Sequence, residues 1–342
     1  MSNFMRFVCA FACGFILVGC HMVRPSDEVV EVLTPKHETT LQTGRCGDGT
    51  CDGPENPSKC PQDCSEGMED LGGEYEAGPE ENSYWLIGPE DGRRLFVLAV
   101  YPADWNGEEL KTLVLVPGGS GDSTDFLGAP RFTAATLADA GYVVVVFDPD
   151  GRGRSEGRED YNGFIHQDSL ADVLLFADDL SQSKEGQIGL ISFSYGITMA
   201  AGTLARYPQL PAKFLIDWEG PADRNDTGGC DEDHRGHLQE MVTCDDEAFW
   251  AEHEALRFIA DIQVPYQRLQ SEKDHAQPDN DHAIAMVNMA IHGGVTWVRL
   301  NDLPVNQVYD PSVPPPMLPE SSDRDLAVLL IPYIEEIFTI TE

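Results

Sequence analysis

A serine lies between two small residues near the middle of the chain, in Ser192-Phe193-Ser194-Tyr195-Gly196. Residues 188–191 are apolar and predict a buried strand, and the residues after Gly196 recur at helical spacing. Small neighbours let strand and helix approach closely, which predicts a sharp turn with the hydroxyl of Ser194 exposed at its apex. A serine held in this way is suited to attack a carbonyl carbon, with the N–H of Tyr195 directed at the oxyanion that forms.

A glycine-rich loop provides the second element of that chemistry. The apolar strand 113–116 ends in Pro117-Gly118-Gly119-Ser120-Gly121, which exposes backbone N–H groups. No helix beginning with a Lys-Ser or Lys-Thr pair follows, so a nucleotide-binding loop is not expected. We therefore expect the N–H of Gly119 or Ser120 to share the oxyanion with that of Tyr195.

Two histidines are candidates for the base that takes the serine proton. His275 and His282 follow a predicted strand and precede a predicted helix, which places them at the carboxyl edge of a parallel sheet. His292 ends that helix and lies at the opposite edge, so it is excluded. His166, ahead of an earlier helix, ranks third. His275 and His282 remain alternatives.

The acid that orients the base also has alternatives. Asp274 follows the same strand as the two histidines and is the first candidate. It suits His282, because adjacent residues such as Asp274 and His275 do not readily face one another along an extended loop. If His275 is the base, Glu219 or Asp217 at the end of the preceding strand orients it instead.

The elements that position these residues alternate between strand and helix. Strands are predicted at 83–88, 95–101, 113–116, 142–147, 188–191, 214–218, 264–269 and 296–300, and helices at 131–140, 167–179, 197–205, 284–291 and 324–338. This alternation predicts an α/β fold, a mostly parallel sheet with helices on both faces. Residues 219–260 read as an acidic cap insertion over the site, bridged by a Cys230–Cys244 disulfide.

Residues 80–342 resemble the α/β-hydrolase superfamily. The glycine-rich loop, the segment 148–157 with an Asp-x-x-Gly-x-Gly-x-Ser pattern and the Ser194 turn occur in the family's order. The branch of dienelactone hydrolases and Xaa-Pro dipeptidyl-peptidase or cocaine-esterase-like enzymes is the most similar. The resemblance implies a serine hydrolase that cleaves an ester or amide bond of a small molecule or peptide through an acyl-enzyme on Ser194.

The resemblance also implies two site positions, and the chain departs from both. Ser271 stands where the family's Gly-x-x-Asp motif has glycine, with Asp274 as its acid. The family's histidine follows the last strand, where residues 301–306 contain none. A surface protein that kept the scaffold for binding, with impaired catalysis, is therefore the alternative function.

The first residues predict export. Arg6 and the apolar run 7–18 precede Cys20, and Leu-Val-Gly-Cys at 17–20 resembles the lipobox of bacterial lipoproteins. The resemblance implies removal of a signal peptide at 1–19, acyl chains on Cys20 and a lipid anchor on the membrane of a bacterial cell envelope. Residues 20–45 then form a flexible tether.

A second cysteine cluster follows the tether. Four cysteines lie among Gly, Asp and Pro between positions 46 and 64, namely Cys46, Cys51, Cys60 and Cys64. We expect two disulfides of undetermined connectivity, with calcium bound by the intervening carboxylates as the alternative. Residues 65–82 form an acidic linker to the hydrolase domain at 83–342. No other cofactor or metal is expected.

The charge of the chain excludes one class of partner. There are 22 Lys and Arg residues against 59 Asp and Glu residues, a formal net charge of −37. A surface so acidic repels polyanions, so nucleic acid is not expected as a partner.

Overall fold

Apolar segments rich in β-branched residues form the centre of the protein, as in Val143–Phe147, where all five side chains are buried. The computed structural model describes residues 73–88, 91–128, 133–230 and 242–342. The described residues form one nine-stranded sheet. Its strands are β1 Tyr75–Ala77, β2 Ser83–Ile87, β3 Arg94–Val100, β4 Leu110–Val116, β5 Val143–Phe147, β6 Ser183–Phe193, β7 Ala212–Trp218, β8 Tyr266–Leu269 and β9 Val298–Leu300.

The sheet is parallel over most of its width. Its order is β1-β2-β3-β5-β4-β6-β7-β8-β9. β1, β2 and β3 pair antiparallel with their neighbours, and every pairing from β5 to β9 is parallel. Phe193, Trp218 and Leu269 are register partners at the carboxyl ends of β6, β7 and β8. The loops that follow these three strands therefore begin side by side.

Helices cover both faces of the sheet. They are α1 Thr124–Leu127, α2 Thr133–Asp139, α3 Phe164–Asp179, α4 Gly196–Arg206, α5 Arg224–Gly228, α6 Glu247–His253, α7 Ala255–Phe258, α8 Asp281–Gly293 and α9 Leu326–Thr341, with a 3₁₀ turn at Glu320–Asp325. Buried residues of α3, α4 and α8 pack in one core on one face, and those of α2 and α9 pack in a second core on the other. The predicted fold class is confirmed. Within the described part of the chain, no helix is long and apolar enough to cross a membrane.

Both faces are buried because the central strands are apolar throughout. In β4, Val114 and Val116 belong to one core, whereas Leu113 and Leu115 belong to the other. Each such side chain contributes on the order of 1.5–3 kcal/mol when fully removed from water. A strand buried on two sides reads as a continuous apolar run, which is why the sequence revealed it.

Several boundaries differ from the sequence-based prediction. β1 pairs with β2 in the sheet, so the domain begins by Tyr75, inside the segment assigned to the acidic linker. The ring of Tyr75 packs edge-on against Phe176 of α3, a contact that no local pattern indicates. Helices α3 and α8 each begin three residues earlier than predicted, so His166 and His282 lie within helices and not in loops.

The described part of the insertion between β7 and β8 carries α5, α6 and α7. Cys230 and Cys244 form the predicted disulfide, with a Cα–Cα distance of 5.6 Å. Arg224 at the start of α5 reaches the carboxylates of Glu247 and Glu254, both at 2.6 Å, and so links α5 to the segment that carries α6. Cys20 and the cluster from Cys46 to Cys64 lie outside the described residues, so their lipidation, disulfides and calcium remain predictions.

Candidate active site

Ser194 occupies the turn between β6 and α4. Its φ of +52° is left-handed, because the chain passes directly from strand to helix at this residue. Its N–H donates to the carbonyl oxygen of Trp218 at 2.8 Å, which holds the turn against the end of β7. This is the predicted exposed apex of a strand–turn–helix unit.

Two glycines allow the glycine-rich loop to lie directly against this turn. A Cβ on Gly118 would lie 2.8 Å from the Cβ of Ser194, and a Cβ on Gly196 would lie 2.6 Å from the carbonyl oxygen of Pro117. Gly119 has a φ of +53°. Gly119, Ser120 and Tyr195 line the same cavity as Ser194, so the three expected oxyanion residues surround the serine.

His275 lies within hydrogen-bonding distance of the serine. Its Nε2 is 2.8 Å from Ser194 Oγ, and its Nδ1 is 2.8 Å from Oε2 of Glu219. An ionised carboxylate can only accept, so Nδ1 carries the proton and Nε2 is the acceptor for the serine hydroxyl. The side chain of His275 is 37% exposed, whereas that of Glu219 is 1% exposed, so the imidazole is open to solvent and the carboxylate is buried.

Glu219 is held firmly in this position. It directly follows β7 and has a φ of +49°. Its Oε1 accepts from the N–H of Ser271 at 3.2 Å and from the hydroxyl of the same residue, and its Oε2 accepts from the N–H of His275 at 3.2 Å. Ser271, which replaces the glycine of the family motif, therefore supports the carboxylate. Together with Nδ1 of His275, these donors satisfy both oxygens of the buried carboxylate.

Asp274, the first candidate for the acid, pairs with the other histidine. Its Oδ2 is 3.2 Å from Nε2 of His282, and its Oδ1 is 3.6 Å from Nδ1 of His275. Burial alone would raise the pKa of Asp274, but His282 and the backbone N–H groups of Gln277 and Ala276 hold it well below its ordinary value. The expected Asp274–His282 pairing is observed, but Asp274 is not the nearer acid to His275.

His282 itself does not reach the serine. Its side chain is fully buried in the first turn of α8, with Nε2 facing Asp274, and Ser194 Oγ is bonded to His275 instead. The helix begins earlier than predicted, which turns His282 inward. As a base, His282 is the wrong assignment.

Asp217 and His166 are also displaced from the site. Asp217 is buried in an ion pair with Arg268 and accepts from the hydroxyl of Tyr266 at 3.0 Å, so it does not orient a histidine at Ser194. Burial raises the pKa of Asp217, against the effect of Arg268. His166 is buried in α3, where burial and the charge of Arg152 lower its pKa to about 4.

The observed partners each lie one strand earlier than the family resemblance implies. Glu219 follows β7 and His275 follows β8, and both strands are close to β6 in the sheet. After β9, Asn301 occupies the start of the loop and accepts from the N–H of Gln270 at 2.9 Å. The last loop therefore supports the β8 loop in place of providing a base.

The three groups around His275 resemble a metal ligand set. One ligand atom from each of Glu219, Asp274 and His275 lies within 4.8 Å of the other two. The donor set does not favour an ion. Oδ1 of Asp274 already accepts from two backbone N–H groups, and Oε2 of Glu219 accepts twice from His275. A proton on Nδ1 satisfies this arrangement fully.

A cavity of about 440 Å³ opens at the serine. Pro221 and Thr227 from the insertion form part of its wall, together with Tyr161. Among the described residues that line it, neither lysine nor arginine occurs. The volume lies in the ordinary range for small-molecule sites.

The comparisons with known proteins agree with this architecture. Residues 111–214 match the model of the alpha/beta hydrolase fold family. Acetyl xylan esterase 1 from Thermoanaerobacterium sp. is similar with a TM-score of 0.53 at 13% identity, over 80% of this chain and 92% of the esterase. The acylaminoacyl peptidase of Pyrococcus horikoshii is similar with a TM-score of 0.52 at 16% identity, over 71% of this chain and 39% of the peptidase. The chain has the fold of the α/β-hydrolase superfamily.

Two further relatives match only in part. Dipeptidyl peptidase 4 of Porphyromonas gingivalis is similar with a TM-score of 0.51 at 16% identity, over 72% of this chain and 34% of that one. An uncharacterized protein of Archaeoglobus fulgidus is 54% identical over 43 residues, which are 13% of this chain and 18% of that protein. The chain thus spans under a fifth of the archaeal relative and little more than a third of the two peptidases. At 13–16% identity, the similarity to the solved structures establishes the fold alone. The activity therefore has to be argued from the site.

Proposed function

We propose that the protein is a serine hydrolase that cleaves an ester or amide bond through an acyl-enzyme on Ser194. The observation that carries the proposal is the continuous line of contacts from Glu219 through His275 to Ser194, with both links at 2.8 Å. Nucleophile, base and orienting acid in this order form the arrangement that activates a serine hydroxyl.

The reaction follows from these contacts. Oγ of Ser194 attacks the carbonyl carbon while Nε2 of His275 takes the hydroxyl proton. The oxyanion accepts hydrogen bonds from the N–H of Tyr195 and of Gly119 or Ser120. His275 then returns its proton to the leaving oxygen or nitrogen, and the acyl group stays on Ser194. Water, deprotonated by His275, releases the acid and restores the serine.

Glu219 supports this cycle through its contact with His275. Its buried carboxylate keeps the proton on Nδ1 of His275, so that Nε2 is free to accept. When the imidazole becomes positively charged, the carboxylate stabilises it. Because Glu219 is itself fixed by Ser271, the ring needs no reorganisation during the reaction.

The cavity favours a small, neutral substrate. Its wall combines the ring of Tyr161 with Pro221 and Ala276, which suit an apolar acyl or alkyl group. The described lining offers no basic side chain to an anionic substrate, and the chain as a whole is strongly acidic. A short-chain neutral ester is therefore the first substrate to test, and a small peptide amide the second.

A scaffold kept only for binding is the weaker alternative. Its main support was the missing histidine after the last strand. His275 lies within reach of Ser194 from a different loop, so a histidine after the last strand is not needed as the base.

We also propose that the protein is anchored outside the cytoplasm through lipid on Cys20. The lipobox-like residues 17–20 support this location, and the Cys230–Cys244 disulfide suits an oxidising compartment. We expect mass spectrometry to find acyl chains on the wild-type protein and none on Cys20→Ala. We also expect the exported Cys20→Ala variant to be absent from the membrane fraction. Equal membrane binding of both proteins would contradict the anchor.

Labelling with a fluorophosphonate probe tests the hydrolase. The wild-type protein is expected to react at Ser194, Ser194→Ala to lose all labelling, and His275→Gln to react at least about 100-fold more slowly. Ser181→Ala, which removes an exposed hydroxyl elsewhere, is the matched control and keeps the wild-type rate. A folded wild-type protein that neither reacts with the probe nor hydrolyses p-nitrophenyl acetate would overturn the proposal.

A further inference from the structure

A fully buried asparagine joins the two backbone segments on either side of the serine. The Nδ2 of Asn162 donates to the carbonyl oxygen of Tyr195 at 3.1 Å and to that of Gly119 at 3.5 Å. Tyr195 follows Ser194 in the sharp turn, and Gly119 belongs to the glycine-rich loop. One side-chain amide thus links the two sources of oxyanion donors, although 76 residues separate them in the sequence.

The orientation of this amide is fixed by its other contacts. Oδ1 of Asn162 accepts from Nη2 of Arg152 at 3.2 Å, so the NH₂ group is the one that faces the two carbonyls. Arg152 is held by two bonds to the carboxylate of Glu159, at 2.8 and 2.7 Å. Its Nη1 also donates to the carbonyl oxygen of Gly121 at 3.3 Å, which adds a second tie to the glycine-rich loop.

The backbone of Asn162 is held as firmly as its side chain. Its N–H donates to Nδ1 of His166 at 3.0 Å. Burial and the charge of Arg152 lower the pKa of His166 to about 4, so this ring is neutral at pH 7 and can accept. Asn162 has a φ of +71°, a conformation that asparagine tolerates better than most residues.

We propose that Asn162 is the residue that positions the oxyanion site. In a trans peptide the N–H points opposite to the C=O. Because Asn162 binds the carbonyl of Gly119 on the buried side, the N–H of the same peptide unit, which belongs to Ser120, points away from it. The bond from Asn162 to the carbonyl of Tyr195 holds the Ser194 turn in a fixed position relative to this N–H. Ser120 is therefore the donor that acts together with Tyr195.

Asn162 itself is fully buried and does not contact substrate, so its effect is indirect. The inference rests on the proposed function, because an oxyanion forms only if Ser194 attacks a carbonyl. Loss of the bonds from Asn162 to the carbonyls of Gly119 and Tyr195 is expected to reduce stabilisation of the transition state. Binding of the substrate in its ground state should be nearly unchanged. Loss of one oxyanion donor lowers kcat by about 10²–10³-fold, so a misplaced donor should cost on the order of 10- to 100-fold.

The test compares Asn162→Asp with Asn288→Asp. Asn162→Asp keeps the shape of the side chain and removes its NH₂ donor. Asn288 in α8 similarly bonds the carbonyl and N–H of Tyr309, at 2.8 and 2.9 Å, and so controls for the chemical change. With p-nitrophenyl acetate, we expect Asn162→Asp to lose about 10- to 100-fold in kcat with KM nearly unchanged, and Asn288→Asp to match the wild type in both.

A second variant and a second measurement keep the outcome decisive. Asn162→Gly tolerates the left-handed backbone and also lacks the amide, so it replaces Asn162→Asp if the latter does not fold. The affinity for a trifluoromethyl ketone, which forms an oxyanion on the serine, should fall by the same factor as kcat. Folded Asn162 variants with wild-type kcat, or with a raised KM alone, would overturn the inference while the hydrolase stands. A wild-type protein that fails to react with fluorophosphonate would overturn both.

Discussion

Replacing Glu219 by glutamine tests which carboxylate serves the base. Glutamine has nearly the same volume, so the packing around the end of β7 is preserved. The buried carboxylate, however, accepts from Ser271 at Oε1 and from His275 at Oε2, and an amide has only one oxygen to offer. One of the two sets of donors must then face an NH₂ group.

The magnitude follows from the tautomer of His275. If the NH₂ of the new glutamine faces Nδ1, that nitrogen has to accept, and the proton moves to Nε2. Nε2 lies 2.8 Å from Ser194 Oγ and can then no longer take the serine proton. The wrong tautomer costs on the order of 10⁴ in kcat in a Ser-His-Asp triad. The carboxylate of Asp274, 3.6 Å from Nδ1, favours the original tautomer, so we expect a loss of about 10³–10⁴.

The assay measures kcat and KM with p-nitrophenyl acetate and the rate of fluorophosphonate labelling. Asp274→Asn is measured in parallel and should lose at most about tenfold, because its carboxylate is the more distant one from His275. Glu336→Gln, which breaks the bonds of an α9 carboxylate to Arg299 at 2.9 Å, is the matched control. A larger loss in Asp274→Asn than in Glu219→Gln would refute the assignment of the acid.

Two further predictions concern stability. Arg268→Met leaves the buried carboxylate of Asp217 without its charged partner and should lower the free energy of unfolding by about 3–5 kcal/mol. Chemical denaturation measures this, and an Arg268→Met variant as stable as the wild type would contradict it. The pKa of His166, ordinarily near 6.5, is lowered to about 4 in the folded protein, so the unfolded chain binds the extra proton as the pH falls from about 6.5 to 4. The free energy of unfolding should therefore fall by up to about 3 kcal/mol over that window. Its dependence on pH should be shallower in His166→Gln than in the exposed control His292→Gln. Equal slopes in these two variants would argue against a buried neutral His166.

Local sequence determined the fold and the turn that carries Ser194. The runs of apolar residues in β4, β5 and β6 identify strands buried on both faces, and the spacing of helical residues between them requires parallel pairing. Ser194 could be placed because a strand–turn–helix unit is specified by its own small residues, here Ser192 and Gly196. The Cys230–Cys244 disulfide could be predicted because six cysteines follow Cys20 and these two lie apart from the cluster at 46–64.

The partners of Ser194 were decided by the tertiary structure. The sequence left His275 and His282 as alternative bases, and it ranked Asp274 before Glu219. Adjacent residues in a loop turn their side chains in directions that depend on the whole backbone path, so Asp274 faces His282 while His275 faces Ser194 and Glu219.

Long-range contacts determined the position of Asn162 and the addition of β1 to the sheet. Asn162 lies in a loop with no recognisable motif, and its role depends on carbonyl groups 43 and 33 residues away in the chain. β1 joined the sheet through pairing with β2 and the contact of Tyr75 with Phe176. A short strand and a single buried amide have too little local pattern to be identified from sequence, because the energy that fixes them comes from groups that only the folded chain brings together.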